Sequence, residues 1–295
     1  AAFAVDGGAD VVFVSSATEA AALALADRGI ACAEIEHEAV SAWCETSLAV
    51  AADGGVTVTD PAGSSLQVAN SETGIVQTLP AGLALPAATQ AFGKLPFAFN
   101  WSGADMAIVS AHKIGGPKGI GALIMKRGSD VDARIKGGGQ EMGRRSGTEN
   151  VIGIAGFGAA AEAAARDLDA GVWTKVAELR NILEKRLSES ARETIFVGKD
   201  ANRLPNTSCF ITPGWKGETQ VMVMDLAGFA VSAGSACSSG KVRASRVLRA
   251  MGYDDTQAAS ALRVSLGPET TEGDVSAFAE AWLREYEKFR ARRGD

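Results

Sequence analysis

Residues 107–123 read AIVSAHKIGGPKGIGAL. An apolar run, Ala107-Ile108-Val109, ends in Ser110. His112 and Lys113 follow, then a loop holding Gly115, Gly116, Gly119 and Gly121. The pattern predicts a buried strand over MAIVS (106–110), a tight polar turn and a returning strand over ALIMK (122–126). The chain has two histidines, and one stands here beside a lysine. A lysine at a strand end, held between polar residues and a tight loop, can be desolvated and lose its proton more readily. That is the condition for a nucleophilic amine that forms a Schiff base. The competing reading is an exposed lysine in a turn. GGPKGIG matches neither GxGxxG nor GxxxxGK[ST], so a nucleotide P-loop is disfavoured, although backbone N–H groups of such loops do cradle phosphate.

Outward from this stretch, short apolar runs alternate with helical ones. DVVFVS (10–15) and LQVAN (66–70) read as strands, LAL (83–85) as a further one, and alanine-rich Ala17–Ala26 as a helix with Thr18 near its start. Alternation of this kind predicts an α/β fold with a mainly parallel sheet flanked by helices. Ligands of such sheets gather at the carboxyl ends of strands, where Ser15, Asn70 and Ser110 stand. Residues 151–189 read as one long helix or two, leading into a smaller C-terminal α/β region. There TIFVG (194–198), SCFIT (208–212) and LRVSL (262–266) are strand candidates. The expected division is 1–166 for a large domain and 167–295 for a small one. Thr271 and Asp274 form a capping box, and Val275, Phe278, Ala279, Trp282, Tyr286 and Phe289 then make one apolar stripe, read as core packing.

Composition narrows the function. With 295 residues, 46% hydrophobic content and mean hydropathy of +0.07, the chain suits a globular protein with a sizeable core. A net charge of −6 and a pI near 5.2 argue against nucleic acid as the main partner. No apolar run is long enough to span a bilayer. The opening AAFAVDGGAD lacks the basic stretch of a signal peptide, so a cytoplasmic location is expected.

The four cysteines, Cys32, Cys44, Cys209 and Cys237, form no CxxC pair, so no metal cage is expected within one chain. Three read as buried free thiols. Cys237 lies in SAGSACSSG (232–240), among small residues, with Lys241, Arg243 and Arg246 following; an exposed thiol beside cations favours the thiolate. A small residue filling a turn is the alternative. GGGQEMGRRSGTEN (137–150) reads either as an anion-binding loop or as an exposed turn with solvated arginines. His37, in IEHEAV, closes a short apolar stretch.

Together these segments resemble cysteine desulfurases of the NifS/IscS type, pyridoxal phosphate (PLP) enzymes of fold type I in the class-V aminotransferase family. VVFVSSATEA, IEHEAV, VANSETGIVQ, AATQAFGKLP, SAHKIGGPKGIGAL, GGGQEMGRRSGTENV, GSACSSGKVRAS and LRVSLGPETTE follow in the family's order, from about Ala9 to Trp282. The resemblance implies that Lys113 holds PLP covalently and moves protons. Ala17, Thr18 and Ser110 would contact the phosphate, His112 would bracket the site, and His37 would stack on the ring and assist catalysis. Gln90 would bond the ring oxygen and Ser71 would support the cofactor. Thr148 would reach the phosphate of the neighbouring subunit, implying a homodimer. Arg263 and Asn70 would bind substrate, the guanidinium pairing with its carboxylate. The implied reaction turns L-cysteine into L-alanine and leaves a persulfide on Cys237. An acceptor or scaffold protein would take that sulfur toward iron–sulfur clusters or thiolated cofactors. Ser245 follows Cys237 by eight positions, which resembles the family's longer cysteine loop.

Three departures qualify the resemblance. The family's asparagine-rich, YLDNNATTP-like segment is not found ahead of the first strand. The aspartate expected three residues before Gln90 is Ala87, which predicts a weakened electron sink and an impaired enzyme; Asn70-Ser71 also replaces a paired asparagine. Only residues 71–82 link LQVAN to LAL, so the crossover helix is expected to be reduced or missing. The second reading is therefore a catalytically impaired pseudoenzyme serving as scaffold or sulfur-relay partner. A third keeps the fold but changes the substrate, for example to selenocysteine or another β-substituted amino acid.

Overall fold

The computed structural model describes residues 8–234 and 244–294. They form two compact units. The first comprises residues 8–51, 55–70 and 76–170; the second comprises 52–54, 71–75 and the remainder from Gly171.

The first unit carries, in chain order, β1 (Ala9–Val14), α1 (Ala17–Leu25), β2 (Ala31–Ala33), α2 (Glu38–Ser41), β3 (Glu45–Leu48), β4 (Ser65–Gln67), β5 (Leu85–Ala87), α3 (Phe99–Ser102), β6 (Met106–Ser110), β7 (Gly121–Lys126) and α4 (Val151–Asp169). Its main sheet has the order β1-β7-β6-β5-β4. β4, β5 and β6 run parallel, while β7 is antiparallel to both β6 and β1, so four of the five strands point one way. β2 and β3 pair in parallel, and a parallel bridge between Ala31 and Ser64 sets them beside the β4 edge. The sheet is mixed but mainly parallel.

β6 is buried at every position, as its unbroken apolar run requires of a strand covered on both faces. α1 lies on β6 and β7 with Ala20, Ala21, Leu23, Ala24 and Leu25 inward. Its alanines let the helix approach closely, and Val12, Val14, Met106, Ile108, Leu123 and Met125 complete the core. No helix lies between β4 and β5. The chain covers residues 68–84 in turns and isolated bridges, so the reduced crossover read from the sequence is observed. Pairing of Ser65, Leu66 and Gln67 with Leu85, Pro86 and Ala87 survives without it.

The second unit contains α5 (Val172–Ser190), β8 (Ile195–Phe196), β9 (Thr207–Ile211), α6 (Gly217–Leu226), β10 (Ser232–Ala233), α7 (Arg246–Ala250), α8 (Asp255–Ala259), β11 (Ala261–Ser265) and α9 (Glu272–Arg293). Residues 151–189 thus form two helices, α4 and α5. The break falls at Ala170-Gly171, where Gly171 takes φ 70°, a left-handed conformation that glycine adopts without strain. The sheet, β10-β11-β9-β8, is antiparallel throughout. α9 begins at the expected capping box, Thr271 accepting from the Asp274 N–H and Asp274 accepting from that of Thr271. Its apolar stripe is buried except Phe289, which is half-exposed. No helix among the described residues is long and apolar enough to cross a membrane.

Trp282 anchors this core. It is fully buried, edge-on to Phe210 at 5.5 Å and stacked on Tyr286 at 5.2 Å. Its indole N–H donates to Gln220 Oε1 at 3.1 Å, and the Gln220 amide in turn donates to the carbonyls of Trp215 and Ser260. Trp282→Ala removes the ring and leaves Gln220 Oε1 without its donor. Unfolding free energy should fall by about 3–5 kcal/mol. Denaturant melts check this, and a loss below 1 kcal/mol would show that the ring is not central to the core.

Candidate active site

In the first unit, the site is built on the carboxyl ends of β1, β4, β5 and β6. Ser110 closes β6, pairs in register with Gly121 of β7, and its hydroxyl is bonded to His112 Nδ1 at 2.8 Å. Ala111–Lys113 form a 3-10 turn off the strand. Burial, then the charges of Lys113 and Lys118, hold the His112 pKa below its ordinary value, so the ring is neutral near pH 7. The Lys113 side chain is exposed. The desolvation that its neighbours suggest falls on a different lysine, Lys94, which sequence reasoning overlooked. Lys94 is 7% exposed, and burial first and the Lys113 charge second pull its pKa down to about 8.

The α1 N-terminus supplies N–H donors to the same end of the sheet. Ser16 caps the helix and accepts from Glu19 N, which leaves the N–H groups of Ala17 and Thr18 outside the intrahelical ladder. A Cβ at Gly121 would lie 2.7 Å from the Ser16 carbonyl carbon, so β7 runs directly against the start of α1. Gly121 therefore adjoins both Ser110 and the helix start. Backbone N–H groups at a helix N-terminus with serine and threonine hydroxyls are the donor chemistry of a phosphate cradle.

The acid in this first turn is neutralised. Glu19 accepts from Arg145 at 2.8 Å and from Ser15 N at 2.7 Å. Burial alone would raise its pKa, but these bonds outweigh it and hold the carboxyl below the usual range. Arg144 is likewise held, donating to Asp10 and Asp130. The arginines of 137–150 are thus held in ion pairs rather than left as solvated side chains, and they tie the loop to β1 and α1. Thr148 lines a small cavity of about 90 Å³ with Ser15, Gly119, Arg145 and Asn150.

Ala87 ends β5 between Gln67 of β4 and Ile108 of β6 and is 8% exposed. Gln90 follows in a half-buried turn. Asn70 is buried, its amide donating to the Ile35 carbonyl at 3.1 Å and to Gln67 Oε1 at 3.4 Å. Gln67 also bonds Ile35 and Glu36. This amide network fastens the end of β4 to the segment that presents His37. The exposed His37 caps α2 through Nδ1, which accepts from Ala39 N at 3.1 Å, so a neutral ring carries its proton on Nε2.

In the second unit, Arg263 on β11 donates to the Ser71 carbonyl at 2.7 Å and to Ser232 Oγ at 3.1 Å. Its Nε–H is buried without a partner among the described residues, an unsatisfied cationic donor of the kind that suits a carboxylate. Glu72 accepts from Ser245 Oγ, and burial raises its pKa against the opposing pull of Arg263 and Arg246. Cys237, Lys241 and Arg243 lie outside the described residues. The other thiols disfavour the thiolate or are shut away: Cys209 is buried and pushed up to about 12, hydrogen bonding to Cys32 and then burial raise Cys44, and Cys32 is buried.

Comparison with known proteins bears on this geometry. A family described as aminotransferase class-V matches residues 65–278. A cysteine desulfurase of Cereibacter sphaeroides is 36% identical, over 93% of this chain and 79% of its own. One from Gluconacetobacter diazotrophicus is 44% identical over 72% of this chain, which spans 55% of that relative's length. The crystal structure of a NifS-like protein from Rickettsia africae superposes with a TM-score of 0.84 at 30% identity, over 95% of this chain and 82% of that one.

Proposed function

The chain belongs to the cysteine desulfurases of the class-V aminotransferase family, and from that membership we propose that it converts L-cysteine to L-alanine with PLP held at Lys113 and sulfur received on Cys237. The observation that carries the reading is the β6 terminus. There Ser110, His112 and Lys113 follow one another beside Gly121 and the open N-terminus of α1. The residues present fit the group. Ala17 and Thr18, with Ser110, would hold its phosphate; Gln90 would donate to the ring oxygen; His37 would cover the ring, and Ser71 would support it.

When bound, the cofactor supplies an electron sink for charge developing at the substrate α-carbon. The chain's own groups do the rest. Arg263 fixes the substrate carboxylate, assisted by Asn70. The Lys113 amine takes the α-proton and returns it. The Cys237 thiolate bonds to the substrate sulfur as the carbon–sulfur bond breaks; the electron pair stays with the carbon fragment, which is protonated and leaves as alanine. The persulfide on Cys237 then passes to an acceptor protein serving iron–sulfur or thio-cofactor assembly. Thr148 is assigned to the phosphate of a second subunit, making the working form a homodimer. The reducing cytoplasm suits a chain whose described cysteines are free thiols.

Cys237→Ser tests the assignment of the sulfur carrier. Sulfide release from L-cysteine should fall to background while cofactor absorption is unchanged. Retained activity would return the role to another cysteine.

A further inference from the structure

Lys94 is the buried cation that the reaction above does not use. Its Nζ donates to two backbone carbonyls, that of Gln90 at 3.0 Å and that of Lys113 at 3.1 Å. These carbonyls belong to the two turns that follow β5 and β6. A second contact shows how closely the turns meet. Gly93 has φ 75°, and a Cβ there would fall 2.7 Å from Ile114 Cγ2 and 3.0 Å from Ala164 Cβ. The Gln90 turn therefore lies flat on the residue after Lys113, with α4 behind it, and Lys94 bridges the two from within.

We propose that Lys94 is a positioning residue for Lys113: its ammonium clamps the Gln90 and Lys113 turns at one spacing. This rests on the assignment of PLP to Lys113. The clamp serves that assignment, because it would fix the ring-oxygen donor Gln90 relative to the lysine assigned to hold the cofactor.

The experiment measures PLP affinity and the rate of adduct formation by the cofactor-free protein, with the modified lysine mapped by mass spectrometry after borohydride reduction. Lys94→Gln keeps amide donors for both carbonyls; Lys94→Met removes them. Lys94→Met should lose about tenfold in PLP affinity and in the rate of adduct formation at Lys113, and Lys94→Gln should restore most of both. A folded Lys94→Met protein that binds PLP as the native chain does overturns the proposal. Should Lys94→Met not fold, Gly93→Ala decides on the same readouts: its Cβ would fall 2.7 Å from Ile114 Cγ2 and part the two turns, and unchanged affinity there overturns the proposal. No adduct at Lys113 in the native chain would instead remove the reading on which it rests.

Discussion

Lys113→Ala is expected to lower turnover of L-cysteine by about a thousandfold or more, because under the proposed function it removes both the covalent attachment and the group that moves the α-proton. The fold should not notice. The Lys113 side chain is exposed, and its carbonyl, which accepts from Lys94, is kept by the substitution. Surface changes of this kind cost within about 0.5 kcal/mol. The phosphate set at the α1 N-terminus is untouched, so PLP should still bind, now without a bond to the chain. Alanine production and thermal melts separate the two effects. A variant that melts normally and keeps a tenth or more of native activity would show that Lys113 is not the reacting lysine.

Ala87→Asp should act in the opposite direction. A protonated ring nitrogen draws electrons better than a neutral one, and a buried carboxylate beside it favours the charged form. Each pKa unit of such support is worth about 1.4 kcal/mol, or tenfold in the protonation equilibrium. Ala87 offers a methyl group at the end of β5, three residues before Gln90. Turnover of PLP-saturated protein should therefore rise about tenfold on restoring the carboxylate. Stability supplies a second reading. In the cofactor-free variant the new carboxyl is added at the buried end of β5, between β4 and β6. It should cost about 1–3 kcal/mol, and PLP should restore much of that by pairing with it. Equal and substantial rates for the two proteins would mean that the ring partner is dispensable in this chain. No activity in either would favour a scaffold or relay role.

The fold was legible where local pattern and tertiary environment agree. MAIVS became β6 over the same residues because an unbroken apolar run can be satisfied only in a strand covered on both faces. LRVSL shifted by a single residue, and ALIMK gained one at its start, for the same reason. LQVAN was read one residue late at its start and three residues too far at its end. Val68 leaves the ladder although its N–H still bonds the Ala87 carbonyl, and Asn70 turns away to the Ile35 carbonyl. TIFVG kept only Ile195–Phe196, the residues that pair with β9.

The site was legible in its motifs and less so in its electrostatics. The Ser110–His112 bond joins side chains two residues apart and could be anticipated. The desolvated lysine could not be placed correctly from neighbours in sequence, because burial depends on what packs on top. The β5 turn covers Lys94 and leaves the Lys113 side chain outside. The signal available was Gly93-Lys94 in AATQAFGKLP, a glycine at positive φ followed by a cation four residues after Gln90. Arg144 and Arg145 were ambiguous for a similar reason. Their partners Asp10, Asp130 and Glu19 come from elements far away in sequence or across the loop.

The central claim is that one lysine, Lys113, holds PLP. Incubation of the native chain with PLP, borohydride reduction and peptide mass mapping test it directly. A pyridoxyl mass on the peptide carrying Lys113, and on no other lysine, is the result expected. Modification of Lys94 in its place, of some other lysine, or of none would contradict the account.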